Sequence, residues 1–193
     1  MTTRFINRGK QDGFTLVELL IVAIILAILA AIVVPQFASS TTDASNSALR
    51  SNLAGVRSAI DLYTQQHGGT LPGRNASTGG ACAAPFTSGS GAADSAAAFE
   101  EQLRYYSNVN GQTCSVADTN ADGIPEYQFG PYLKGDIPAN PITQDPTITV
   151  VITGDLAMTG AGAGGGWRYD ARSGKFIADD TDPDGNGSTY DAY

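Results

Sequence analysis

Two runs of carboxylates in this chain have the spacing of a calcium loop. Asp180, Asp182, Asp184 and Asp191 stand at positions 1, 3, 5 and 12 of one run, with Gly185 at position 6. A twelve-residue calcium loop places its oxygen ligands and its sharp turn at those positions. A second run starts the same way with Asp118, Asn120, Asp122 and Gly123 and carries Glu126, but Phe129 takes the place of the last acid. Neither run has the flanking helices of a paired calcium hand. Calcium takes six to eight oxygens, and gathered carboxylates repel one another without a cation. Asp-Gly and Asp-Asn steps are also ordinary turn chemistry. Calcium is the expected cofactor on this reading, and a thermal midpoint that rises with added calcium is the expected result.

Other chemistry is sparse. His67 is the single histidine and stands before Gly68 and Gly69, where it reads as a helix-end residue rather than a catalytic one. There is no Gly-x-Ser-x-Gly elbow, no phosphate loop with its lysine and no zinc-spaced Cys/His set, so no catalytic residues are expected. Gly160–Gly166 lacks the following helix and lysine that would hold phosphate, and reads as a flexible connection. Cys82 and Cys114 form an even pair, read as one disulfide. Closing that loop contributes roughly 3–4 kcal/mol. The net charge of −8 argues against nucleic-acid binding, which needs clustered Lys and Arg.

One more acid is out of place. From Phe14 to Val34 the chain has a single charge, Glu18, and a single hydroxyl, Thr15. As a helix this run is roughly 31 Å long, enough to cross a bilayer core. A carboxylate at depth costs about 2 kcal/mol or more unless partnered. No Lys, Arg or His lies between Phe14 and Ala48. Either a partner comes from elsewhere, such as a free α-amino group on a neighbouring copy, or Glu18 reaches the headgroups or stays protonated. A secretory signal peptide has a shorter apolar region that ends in a small-x-small cleavage site, whereas this run is 21 residues long and continues into a helical pattern.

The elements that position these groups follow from periodicity. Pro35 predicts a kink or local melting near Ala31–Pro35. Beyond it Leu49, Leu53, Val56, Ile60 and Tyr63 repeat at 4-3-4-3 spacing and form one helical face. Gly55 inside that helix costs about 1 kcal/mol and marks expected close packing. Residues 68–93 read as a long Gly/Ser-rich surface loop. Asp94–Ser107 reads as a short helix capped by Asp94 or Ser95. Strands are expected at Glu126–Phe129, Thr147–Thr153, Gly166–Asp170 and Gly174–Ala178, the last two as an antiparallel hairpin. Trp167, Tyr169 and Phe176 read as core. The tail from Asp179 is acidic and loop-like. Domain bounds are expected at 1–13, 14–35, 36–67 and 68–193.

A polar leader ending in Gly13, then Phe14-Thr-Leu-Val-Glu18, an apolar run and Pro35 together resemble the N-terminus of type IV pilins and type II secretion pseudopilins. GPYLKGDIPANPITQ and GGWRYDARSGKFIADD resemble the C-terminal half of pseudopilin-like proteins. The resemblance implies an α+β pilin fold, a long N-terminal helix packed on a small antiparallel sheet. It implies cleavage between Gly13 and Phe14 by a prepilin peptidase, N-methylation of Phe14, and pairing of Glu18 with a neighbour's terminal amine during assembly. Pro35 falls at the family's helix-loosening proline. Cleavage would leave 180 of 193 residues and take the charge to −10, because the leader carries Arg4, Arg8 and Lys10 against Asp12. Those cations favour a cytoplasmic leader.

On this resemblance the chain is a structural subunit, not an enzyme. It is expected in the bacterial inner membrane as a single-pass protein with its globular domain on the periplasmic side, and then in a homopolymeric filament. The type II secretion pseudopilus is the favoured setting. A major type IV pilus subunit for adhesion or motility, or a minor tip pilin acting as a membrane-anchored binding module, is the alternative. The implied partners are the prepilin peptidase, an assembly ATPase, a platform protein and minor pseudopilins. Related pseudopilins carry a C-terminal calcium site, which bears on the tail acids.

Overall fold

The computed structural model describes residues 14–80, 82 and 84–193, with the backbone alone for 34–39. The leader and Gly13 lie outside the described residues. Helix α1 spans Leu16–Gln66 and runs on through residue 35, so the expected melting there is not found. Proline removes one N–H from the ladder, a local loss that the flanking turns of so long a helix survive. The chain divides between Asp43 and Ala44 into two compact units, later than the bound expected at Pro35.

In the first unit the helical residues Leu16–Val33 form a run of mean hydropathy 3.2, none of it buried. It is long and apolar enough to cross a membrane.

The second unit is α+β. The helical residues from Ala44 present Leu49, Leu53, Val56, Ile60 and Tyr63 to a core shared with Phe99, Leu103, Trp167, Tyr169 and Phe176. The period of 3.6 that predicts this stripe also explains it: these positions return to one face, and each is at most 2 % exposed. Gly55 lies on the open side, with no atom within 4 Å of where a Cβ would stand. The close packing expected there does not occur within the subunit.

Helix α2, Ala96–Arg104, is shorter than expected at both ends. Ser95 caps it, its Oγ accepting the Ala98 N–H at 3.2 Å. Two strands of two residues follow, β1 at Tyr106–Ser107 and β2 at Thr113–Cys114, paired antiparallel. The strand expected at Glu126–Phe129 is reduced to a single bridge between Phe129 and Ser107. Gly123 and Pro125 keep the preceding chain in turns.

Strands β3 (Ile148–Val151), β4 (Trp167–Asp170) and β5 (Phe176–Ala178) form a sheet in the order β3-β4-β5. The β4–β5 hairpin is antiparallel as expected, but β3 and β4 run parallel. The sheet is therefore mixed, not antiparallel. The connection at 152–166 is long enough for a crossover, which needs about a dozen residues. The two polar aromatics of β4 find acceptors: Trp167 Nε1 donates to the Pro138 carbonyl at 2.8 Å, and Tyr169 Oη to that of Pro72 at 2.9 Å.

Candidate functional site

At the start of α1, Thr15 and Glu18 form a reciprocal cap. Glu18 Oε2 accepts the Thr15 N–H at 2.9 Å and the Thr15 hydroxyl at 2.7 Å, and Thr15 Oγ accepts the Glu18 N–H at 3.3 Å. This is a capping box, which satisfies orphan N–H groups at a helix start. Thr15-x-x-Glu18 is its sequence signal. Part of the carboxylate's partnership thus lies within the segment, in the hydroxyl three residues away. Among the described residues the second carboxylate oxygen, Oε1, has no bond. One oxygen thus fixes the helix end and the other is open to a partner. Phe14 is exposed ahead of the cap.

Among the described residues the tail acids are not gathered into one cluster. Asp180 Oδ1 accepts the Asp182 N–H at 2.9 Å and the Gly164 N–H at 3.4 Å. Asp184 Oδ1 accepts from Asn186 and Ser188 N–H, and its Oδ2 accepts from the Tyr193 hydroxyl. Asp191 Oδ2 accepts the Gly160 N–H at 2.9 Å. Asp182 is exposed. With its neighbour Asp179, which accepts the Ala161 N–H at 2.6 Å and pairs with Arg168, the tail pins the Gly-rich loop. The expected flexible connection at 160–166 is thus tied at Gly160, Ala161 and Gly164. Gly165 and Gly166 are glycines because a Cβ would lie 2.3 Å from the carbonyl oxygens of Asp179 and Thr147 respectively.

The earlier run does gather. Carboxylate oxygens of Asp118, Asp122 and Glu126 lie within 4.8 Å of one another. Asn120 stands beside them, its Nδ2 donating to Asp122 at 3.2 Å. The N–H groups of Gly123, Ala121 and Asn120 hold the Asp118 carboxyl below its ordinary range. These oxygen donors suit a hard cation, and Asp118, Asn120, Asp122 and Glu126 are the residues that would hold calcium. Glu126 supplies the acid that Phe129 does not.

Cys82 and Cys114 are joined by a disulfide, with Cα atoms 5.5 Å apart. The loop at 68–93 has further ties that sequence does not display. Glu101 accepts from Ser90 N–H and Oγ, from Gly91 N–H and from the Ser77 hydroxyl. Buried Gln102 bonds Gly73, Asn75 and Gly111.

His67 stacks on Tyr63 at 3.8 Å between ring centroids. Its Nδ1 lies 2.9 Å from the Tyr63 carbonyl oxygen, and its Nε2 lies 3.2 Å from the Ser107 hydroxyl and 3.1 Å from the Asn108 carbonyl oxygen. Burial pushes its pKa down, partly offset by the two carbonyls. A depressed histidine binds its proton more readily unfolded than folded, so stability falls as pH drops below about 6.5 towards the folded value. Urea midpoints at pH 7.5 and 5.5 check this: the wild type should lose stability over that interval, and His67→Phe should lose markedly less.

The matched sequence pattern agrees with this geometry. The prokaryotic N-terminal methylation motif matches residues 8–34. Over this N-terminal segment the chain is similar to type IV pilins and type II secretion pseudopilins. It is 40 % identical over 57 residues to the type II secretion system core protein G of Pseudomonas aeruginosa, covering 30 % of this chain and 40 % of that protein. It is 46 % identical over 57 residues to the type IV narrow pilus major component PilA5 of Thermus thermophilus, covering 30 % and 49 %. A fimbrial protein of Neisseria meningitidis is 42 % identical over 69 residues, covering 36 % and 40 %. The chain thus spans less than half the length of these relatives. No solved structure matches.

Proposed function

We propose that the chain, once cleaved before Phe14, is a structural subunit of a helical filament assembled from the bacterial inner membrane. The observation that carries this is an unburied apolar helical run, Leu16–Val33, headed by Glu18 directly inside the methylation motif. Such a run has two hosts, lipid before assembly and the same run on neighbouring copies after it. The globular unit then coats the outside. A prepilin peptidase, an assembly ATPase and a platform protein act on it in this reading.

The type II secretion pseudopilus is our preferred setting, supported by the likeness to core protein G. The likeness to PilA5 supports a type IV pilus as the second reading. Deleting the gene separates them. A pseudopilus subunit leaves exoproteins stranded in the periplasm with surface fibres intact. A pilus subunit removes surface fibres and leaves secretion unchanged.

A further inference from the structure

We propose that a cleft lined by Arg74 and Arg172 receives the Asp118–Glu126 loop of a neighbouring copy of this chain. The contact rests on the filament reading and names a subunit–subunit surface within it.

The cleft encloses about 460 Å³, with Leu71 and Ala171 as apolar wall and the two arginines and Asn75 as polar lining. It is distinctive because the other arginines of the globular unit are committed. Arg57 donates to the Phe176 and Tyr193 carbonyl oxygens at 3.0 and 2.6 Å. Arg168 pairs with Asp179, Arg104 with Asp136, and Arg50 lies over the Tyr193 ring. Arg172 is exposed, and among the described residues nothing bonds its guanidinium. Arg74 gives only Nη1 to Asp94, at 2.6 Å.

The loop is the complement. Asp118, Asp122 and Glu126 are gathered, and no ion pair among the described residues reaches them. Between two of these acids Ile124 stands 69 % exposed. An exposed aliphatic residue between two carboxylates in sequence matches a cleft lined by apolar residues and two arginines. Both features belong to the Gln66 end of α1. The cleft follows that end directly, and the loop adjoins Phe129, whose ring lies 4.9 Å from that of His67. Parallel subunits packed through their helices bring the two to similar levels. Loop and cleft are different patches, so the contact is head-to-tail and propagates as an open helix rather than closing a dimer. It also sets cation against acid between cleaved chains whose net charge of −10 makes them repel.

The test uses the full chain expressed with its assembly machinery, reading sheared filament yield. Arg172→Glu and Asp122→Arg should each lower the yield about tenfold, since like charges meet across the contact. The double exchange R172E/D122R should restore it. As a second measurement, Leu71→Cys with Ile124→Cys should give a ladder of oxidised multimers in filaments. Calcium competes for the same carboxylates, so millimolar calcium should weaken that ladder. Single variants equal to wild type, a double exchange no better than the singles, oxidised filaments holding only monomers, or a ladder strengthened by calcium would overturn the contact. No filaments from the wild type would overturn the filament reading itself, and this contact with it.

Discussion

Replacing Glu18 with alanine should leave the leader removed and the globular unit folded, yet take the protein out of sheared filaments. The carboxylate has two jobs in this account. One oxygen closes the cap with Thr15. The other is open, in a run that offers no cation. In apolar surroundings, removing one partner of a buried ion pair costs about 3–5 kcal/mol. At about 1.4 kcal/mol per factor of ten, that is a loss of about 100-fold or more in each addition of a subunit. Two controls separate the jobs. Glu18→Gln keeps a capping residue but no charge and should fail like alanine. Thr15→Val removes the cap hydroxyl, costs about 1 kcal/mol at the helix end, and should still polymerise. Filaments from Glu18→Gln at wild-type yield would remove the electrostatic part of the argument.

The second large effect sets one substitution against itself at two glycines. Gly166→Ala puts a Cβ 2.3 Å from the Thr147 carbonyl oxygen and 2.9 Å from that of Asp145. Both are backbone atoms, so β3 and the loop feeding β4 must move apart. Overpacking of this kind costs about 1–3 kcal/mol. Gly55→Ala meets nothing within 4 Å and sits inside a helix. It should stabilise the subunit by about 1 kcal/mol. For a chain of this size each kcal/mol moves the thermal midpoint by about 2–4 °C. Opposite signs for the two variants are the expected result. A destabilised Gly55→Ala subunit would mean that the open face of α1 is covered within the subunit.

What the chain spells out locally could be read directly. The face from Leu49 to Tyr63 repeats with the helical period, so its burial follows from counting. The β-branched run at Thr147–Thr153 and the turn at Ala171–Gly174 locate β3 and the hairpin. Most of the misses depend on partners that no local periodicity displays. Strands β1 and β2 are two residues each, too short for any period, and exist by pairing with each other. The parallel pairing of β3 with β4 depends on where a long connection returns. Gln102 looks like an ordinary polar helix residue until Gly73 and Gly111 are beside it. The tail acids show the same limit. Their spacing in sequence is that of a calcium loop, but Asp180 and Asp191 bond N–H groups of the Gly-rich loop while Asp184 bonds Asn186, Ser188 and Tyr193. Spacing ranks residues as candidates, and only the path of the chain decides which of them converge.

The most direct measurement is the intact mass and N-terminal residue of the protein recovered from sheared filaments. The filament protein should lack residues 1–13 and begin at N-methylated Phe14. A filament protein that still begins at Met1, or a processed chain that is never found in filaments, would contradict this expectation.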